Sequence, residues 1–213
     1  MSTKATIAPG YRLRLLLMTF LLGGFGVYSV YDGKIAYPKK KEIGLAYQAY
    51  KSDPAHEHDF NETWRAYAKS KGWPEKIPTK VKSEAEYNSD IMTQWIMAGI
   101  TLPIGLFFGY KLLQESRRWV AMDDAGLTAS GGRVAPWDTL KGLERSRWKT
   151  KGIARVIYHD EAKGADRQIL LDDFKANRAA VGEIYNAVVA RVYPEEVAAQ
   201  AKEQEIKAQE EGV

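Results

Sequence analysis

Two long apolar stretches constrain this chain more than any other feature of its sequence. Residues 13–31 read LRLLLMTFLLGGFGVYSVY, and residues 91–113 read IMTQWIMAGITLPIGLFFGYKLL. Their charged residues, Arg14 and Lys111, lie near the ends, where a long side chain can reach lipid headgroups. Because a helix needs about 20 mostly apolar residues to cross a bilayer, we predict a two-helix transmembrane hairpin.

Each stretch has one alternative interpretation. Basic residues ahead of the first are typical of a cleaved secretory signal, but Tyr31 and Lys34 spoil the small-residue cleavage frames that could end at Ala36 or earlier. An uncleaved anchor is therefore favoured. The second stretch could be a buried core helix. Its length, with Trp95 and Tyr110 near its ends, favours a membrane span.

Glycines indicate where these helices pack. The candidate packing positions are Gly23, Gly24, Gly105 and Gly109, the last two in small-xxx-small spacing. Small residues let helix backbones approach closely in lipid. Pro103 is expected to kink the second helix. The sequence does not identify the helix on which these glycines pack. It could belong to a second copy of the chain, so a homo-oligomer is one of the alternatives.

Residues 32–90 form a polar loop with helical periodicity. Its aromatic residues give the candidate docking positions Tyr47, Tyr50, Phe60, Trp64 and Tyr67. Asp59 with Glu62, and Ser83 with Glu86, indicate helix starts, and a KGWP motif between them indicates a stop. We predict two short amphipathic helices and then a longer one that enters the membrane. Three coverings stay open for the aromatic faces: each other, the membrane surface, or a partner protein.

From residue 117 to residue 193 the pattern changes to short strands separated by turn residues. DDAG at 123–126 and SGG at 130–132 are turn signals, and the meander they punctuate favours a sandwich or barrel. A closing helix follows. Its apolar stripe consists of Val181, Ile184, Tyr185, Val188, Val189 and Val192. Asp172 and Asp173 lie near its predicted start, where negative charge suits the helix dipole, and Pro194 ends or bends it.

This order of elements resembles the pleckstrin-homology-like (PH-like) domains of small bacterial membrane proteins. The likeness is carried by MDDAGLT, RVAPWDTLKGLE, ILLDDF and the closing helix, with Asp124, Gly126, Pro136 and Trp137 at the turn positions. It covers about 75 of the 213 residues, and an unrelated small β-barrel is the alternative. The resemblance implies a binding or scaffolding module without shared catalytic residues.

The predicted class is therefore an α+β membrane protein. A two-helix transmembrane hairpin carries a PH-like β domain, a small barrel or sandwich closed by an amphipathic helix. Arginines abut both apolar stretches on the terminal side, which favours both termini, including residues 1–12, in the cytoplasm of a bacterial inner-membrane protein. Residues 194–213 are expected to be a polar helical or disordered tail.

Four basic residues alternate near the middle of the β domain. Arg145, Arg147, Lys149 and Lys151 would share one face of a strand and its turn, because side chains in strands alternate between faces. The stripe is a candidate site for anionic lipid headgroups or an acidic partner protein. The alternative is the ordinary solvent face of a half-buried sheet.

Other chemistry finds little support. The chain has no cysteine, and the net charge of +4 is not clustered, so we expect no thiolate chemistry and no nucleic-acid partner. His56 and His58 lack further evident ligands, so we expect neither metal nor cofactor. No phosphate loop, zinc-protease motif or nucleophile elbow is present, and we expect no catalysis.

Two functions remain. The first is a non-catalytic, membrane-anchored scaffold that binds a partner protein or anionic headgroups. The second is an accessory subunit of a larger inner-membrane complex, with the glycine faces and the aromatic loop helices as contact surfaces.

Overall fold

The computed structural model describes residues 2–54, 60–199 and 201–202. It is an α+β protein with two β-sheets and two helices long and apolar enough to cross a membrane. The chain divides into two compact units. The helical unit comprises the described residues of Leu17–Phe108, and the sheet unit comprises those of Met1–Leu16 and Gly109–Val213.

The first long helix runs without a break over Pro9–Ser52. Its α-helical parts are α1 (Pro9–Met18), α2 (Gly24–Tyr31) and α3 (Tyr37–Ser52), joined by π-helical turns at Thr19–Gly23 and Asp32–Ala36. The prediction that the first helix of the loop is separate from the first apolar helix is therefore wrong, because the two are continuous. The turn over Asp32–Ala36 widens the helix instead of ending it, and Pro38 is tolerated at the start of α3.

The second long helix, α5 (Glu84–Ser116), runs from the loop through the second apolar stretch, as predicted. Ser83 begins it with a capping box. Its backbone N–H and its hydroxyl each donate to Glu86 Oε2 at 2.8 Å, and its Oγ accepts from the Glu86 N–H at 3.3 Å. The two hydrogen bonds that Ser83 donates to the carboxylate lower the pKa of Glu86. Pro103 lies inside α5 without ending it.

The apolar parts of both long helices lie mostly on the surface of the protein. Only 17% of the most apolar window of the first and 11% of that of the second are buried. The core helix of a soluble protein would be mostly buried, whereas Phe20 and Leu106 are each 72% exposed. By length, composition and exposure, the two helices are therefore not core helices of the protein and could cross a membrane.

Two of the predicted packing glycines meet within the helical unit. A Cβ added to Gly105 would lie only 2.5 Å from the Cα and the nitrogen of Gly23. A Cβ on Gly24 would meet nothing within 4 Å, so Gly24 has no such contact. Gly26, a further glycine of the first apolar stretch, packs tightly against Leu102. Gly109 lies in α5, at the start of its portion within the sheet unit.

The aromatic loop residues pack on each other. Trp64, on α4 (Phe60–Ser70), is fully buried, with its ring 4.9 Å from that of Tyr47 and 5.7 Å from that of Tyr50. Tyr67 stacks against Tyr50, and Phe60 contacts Tyr47. This is the first of the three coverings left open, and it makes Trp64 unavailable to a partner. Gly72, at φ +67°, follows the end of α4 as its KGWP motif predicts. Asp59, predicted to begin this helix, lies outside the described residues.

The first sheet of the sheet unit is antiparallel, and its first strand precedes the two long apolar helices. Its order is β1 (Thr3–Thr6), β2 (Trp119–Met122), β3 (Gly126–Ala129) and β4 (Arg133–Pro136). In the register Ala5 pairs with Val120, and Val120 pairs with Ala129. Residues 1–12 were assigned only as a cytoplasmic segment, and the strand within them was not predicted.

The second sheet is a meander of three antiparallel strands. These are β5 (Leu140–Glu144), β6 (Ile153–Asp160) and β7 (Ala165–Asp172), with the short helix α6 (Trp148–Lys151) between the first two. The closing helix α7 (Arg178–Val192) follows. Outside the strands, an isolated bridge pairs Ile7 with Ala176, next to the ends of β1 and β7.

The core of the sheet unit lies between the sheets and α7. Val156, Tyr158, Ile169 and Leu127 are among its fully buried residues. The predicted stripe is confirmed, because Val181, Ile184 and Val188 are fully buried while Tyr185, Val189 and Val192 pack against the cluster. Tyr185 also stacks on Trp148 with ring centroids 3.9 Å apart.

The start of α7 differs from the prediction. Its N-cap is Asn177, whose side-chain oxygen accepts from the Ala180 N–H at 3.2 Å. Asp172 accepts instead from the N–H groups of Phe174 and Lys175, closing the turn that precedes the helix. Asp173 lies 3.4 Å from the Arg178 guanidinium, at the first residue of α7, but neither aspartate caps the helix.

Candidate binding site in the sheet unit

A cavity of about 310 Å³, here called the sheet cavity, lies within the sheet unit between the first sheet and β7. Its apolar walls come from both sheets and from α7. They include Ala5, Val120, Ala129, Ile169, Leu171 and Val181. The volume is at the small end of the range for ligand pockets, about 300–1,000 Å³.

The N-terminal strand builds one wall of the sheet cavity. β1 is fixed on one side by its ladder with β2 and beyond its end by backbone bonds near α7. The Asn177 N–H donates to the Thr6 carbonyl at 2.9 Å, and the Ala8 N–H donates to the Lys175 carbonyl at 2.8 Å. Ala5 and Ile7 therefore reach the cavity from a segment that precedes the first long helix.

Charged side chains line the sheet cavity beside its apolar walls. Glu115, in the last turn of α5, is only 4% exposed, and its carboxylate lies 3.2 Å from Arg118 and 3.8 Å from Lys175. Lys175 also lies 3.6 Å from Asp172. Arg133, at the start of β4, is half-buried and has no ion pair within residues 2–54, 60–199 and 201–202. The lining thus holds three cations against two carboxylates, and one guanidinium keeps its hydrogen-bonding capacity.

One edge of β7, beside the sheet cavity, has no paired strand in the part of the chain that the structure describes. β7 pairs with β6 through its whole length, and no strand within the described ranges pairs with its other edge. Residues 169–172 of this edge line the cavity, and the side chain of Leu170 is 40% exposed. An open strand edge offers backbone N–H and C=O groups to an added strand.

The lining of the sheet cavity offers groups that can bind a ligand. A free guanidinium prefers a carboxylate or phosphate, the apolar walls take an apolar group, and the strand edge takes an extended backbone. Ser130 is the one hydroxyl-bearing serine or threonine of the lining, and the lining includes no histidine or cysteine that could activate it.

The predicted basic stripe is wrong as a strand face. β5 ends at Glu144, and Trp148–Lys151 forms the helical turn α6, which closes at Gly152 with φ +65°. The Arg145 guanidinium contacts the segment that follows α7, where it donates to Glu196 at 2.8 Å and lies 4.5 Å from the ring of Tyr193. The bond to Glu196 raises the pKa of Arg145 above its ordinary value.

The four basic residues therefore do not form one continuous surface on a strand. Arg147 is the N-cap of α6, and Lys149 and Lys151 lie in it. The alternation of basic residues in the sequence did not predict a strand correctly here. Trp148 lies in a helical turn and stacks on Tyr185 of α7. Binding by these residues stays a prediction.

The residues of the sheet cavity were missed by sequence reasoning. Arg133 was noted only within a short strand, and Glu115 lies just beyond the second apolar stretch. The alternation of Thr3, Lys4 and Ala5 was the available signal for β1, but it is too short to distinguish a strand from a random pattern.

No metal cluster occurs within the part of the chain that the structure describes. His56 and His58 lie outside that part. In comparisons with known proteins, no family model, curated protein or solved structure matches the chain.

Proposed function

We propose that this chain is a non-catalytic binding module anchored in the bacterial inner membrane. Its two apolar helices span the bilayer, and its sheet unit is a PH-like domain on the cytoplasmic side with both termini. The module binds an extended, acidic segment of a partner protein in the sheet cavity.

The exposure of the two apolar helices supports the anchoring. Their lipid-facing side chains would have no favourable surroundings in water, and Trp95 and Tyr110 lie toward the two ends of the second stretch, as expected at membrane interfaces.

The pairing of β1 with β2 supports a hairpin that crosses the membrane twice. β1 precedes the first apolar helix, and β2 follows the second. Because backbone-bonded strands lie on the same side of a bilayer, residues on either side of the helix pair share one compartment. Arg14, Arg117 and Arg118 near the helix ends favour the cytoplasm for that compartment.

The strand order supports the PH-like fold. Four antiparallel strands, three further strands and one closing helix occur in the sheet unit, and the resemblance led us to expect strands followed by such a helix. On this proposal the membrane hairpin is an insertion between the first and second strands of the domain.

The observation that carries the choice of ligand is the free edge of β7 next to Arg133. An added strand would find backbone partners along residues 169–172, and an acidic side chain on it would find the unpaired guanidinium. The alternative ligand, an anionic lipid headgroup, was predicted to bind at the four basic residues of the stripe. Arg145 of that stripe forms an ion pair with Glu196. A protein segment is therefore the better match.

Site-specific photo-crosslinking in native membranes tests this proposal. A photoreactive residue replaces Leu170 at the cavity or, as a matched control, Val134, which is 58% exposed on β4 and does not line the cavity. We expect protein adducts at Leu170 that are absent at Val134, that map to an extended acidic segment, and that decrease when Arg133→Gln is added.

Other results would contradict the proposal in different ways. If the residue at position 170 formed adducts with lipid alone, the ligand would be a lipid headgroup and not a protein segment. Stoichiometric adducts with large membrane subunits at both positions would favour an accessory subunit. Recovery of the full-length chain in a detergent-free supernatant would remove the membrane anchor.

A further inference from the structure

The helical unit holds a second cavity, of about 350 Å³, which we call the lysine cavity. It lies between α3, the segment before α5, and the first turns of α5. Its polar lining consists of Tyr37, Lys40, Lys80, Lys82, Tyr87 and Asp90. Three ammonium groups thus share one concave surface with a single carboxylate.

The three lysines differ in their partners, and Lys80 lies close enough to the Glu86 carboxylate to help lower its pKa, after the hydrogen bonds from Ser83. Lys82 pairs with Asp90, and this hydrogen bond raises the pKa of Lys82. Lys40 lies 4.5 Å above the ring of Tyr37, and neither it nor Lys80 forms an ion pair with any residue that the structure describes. Once the pair of Lys82 and Asp90 is set aside, the lining of the cavity carries two further positive charges.

A buried hydroxyl also lines the lysine cavity. Tyr87 is 7% exposed, and its oxygen accepts from the Lys82 backbone N–H at 3.4 Å. Its own proton has no acceptor in the described ranges. Gly44 leaves the space for this hydroxyl, because a Cβ at that position would overlap it. A buried donor without an acceptor is costly, which indicates that an acceptor belongs in the cavity.

We propose that the lysine cavity binds a phosphate group, held by the ammonium groups of Lys40 and Lys80 and by the Tyr87 hydroxyl. Lysine is a point-charge binder of phosphate, and a tyrosine hydroxyl adds a directional donor. Ammonium groups without an ion pair among the described residues, next to a buried hydroxyl donor, suit an anion with several acceptor oxygens.

The position of the lysine cavity along the chain suits a lipid headgroup. Tyr37 follows the first apolar stretch by six residues, or about 9 Å of helix, and Asp90 immediately precedes the second. The headgroup layer occupies the several ångströms beyond the hydrocarbon core. A phospholipid or a free phosphate would present the same chemistry. The site goes beyond the sheet-cavity proposal, and only its lipid source depends on the membrane anchor.

Titration of the full-length protein in a neutral detergent tests the proposal. Inorganic phosphate, dihexanoyl phosphatidylglycerol and dihexanoyl phosphatidylcholine are added separately, and binding is followed by calorimetry and native mass spectrometry. The test variant is Lys40→Gln/Lys80→Gln. The matched control is Lys39→Gln/Lys76→Gln, which removes the same charge from exposed positions outside the cavity.

We expect saturable binding of a phosphate-bearing ligand that the test variant weakens about tenfold or more, while the control changes it about twofold or less. Tyr87→Phe should weaken it about two- to tenfold. Binding of phosphatidylglycerol without inorganic phosphate identifies a lipid headgroup as the source, and binding of both identifies the phosphate group alone.

The proposal is overturned if no ligand binds saturably. It is also overturned if the two double variants lose binding equally, since the effect would then be one of overall charge. All four substituted lysines are exposed, and circular dichroism of both double variants checks that each remains folded.

Discussion

Gly23 and Gly105 face each other so closely that the second long helix cannot carry a side chain at position 105. A Cβ on Gly105 would lie 2.5 Å from Gly23 Cα, and a Cβ on Gly23 would lie 3.9 Å from Gly105 Cα. The contact is therefore asymmetric, with Gly105 the more restrictive position. Close backbone approach of this kind stabilises helix pairs in lipid, where the hydrophobic effect between helices is absent.

Gly105→Ala should destabilise the helical unit by about 1–3 kcal/mol, because the new methyl group must push the helices apart. Gly99→Ala on the same helix is the matched control, since its Cβ would meet nothing within 4 Å. Thermal unfolding in detergent, followed by circular dichroism, compares the two. Equal melting temperatures for both variants would mean that the glycine contact contributes nothing.

Local patterns predicted part of this unit well. The capping box of Ser83 and Glu86 spans four residues and depends on no other part of the chain. The pairing of Gly23 with Gly105 depends on how two helices are rotated about their axes, which glycine spacing alone does not determine. That is why Gly24 was included among the packing positions although it has no such contact.

Removal of residues 2–6 should unfold or loosen the first sheet, because it deletes β1 and one wall of the sheet cavity. The ladder with β2 and the loss of buried Ala5 together account for about 2–4 kcal/mol. Hydrogen exchange of the β2 amides measures the effect. Lys4→Ala/Thr6→Ala, which changes exposed side chains and keeps the backbone ladder, should leave most of the protection intact.

The sheet unit shows why the N-terminal strand was missed and the closing helix was not. The stripe of α7 repeats over several turns, so its period is readable without a partner. β1 has four residues, and its partner β2 follows both long apolar helices in the chain. Strand pairing at such separation is set by the folded core, through residues such as Ala5, and not by local propensity.

Asn177→Ala should destabilise α7 by about 1 kcal/mol, because the Ala180 N–H loses its acceptor. Asn177→Asp keeps an acceptor at the same place and adds charge at the positive end of the helix dipole, so it should retain most of the stability. Hydrogen exchange at Ala180 and urea unfolding distinguish the variants. If Asn177→Asp were as unstable as Asn177→Ala, the side-chain bond would not be the cause.

Acid should weaken the pairing of β6 with β7 through two aspartates. The hydrogen bond from Lys141 and then that from His159 lower the pKa of Asp166 below its ordinary value of 3.8. The hydrogen bond from Arg167 lowers the pKa of Asp160 in the same way. A carboxylate whose pKa is depressed by folding stabilises the protein above its unfolded pKa and loses that contribution as pH falls through the folded pKa.

Asp160→Asn/Asp166→Asn should therefore be less stable than the parent at neutral pH and should lose less stability between about pH 5 and about pH 2. Glu161→Gln removes a carboxylate from the exposed turn beside these residues and serves as the control. Denaturant unfolding of the full chain in detergent across this range measures the slope. The ion pairs would be irrelevant to acid sensitivity if the double variant and the parent lost stability in parallel, because the aspartates would then titrate alike in the folded and unfolded states.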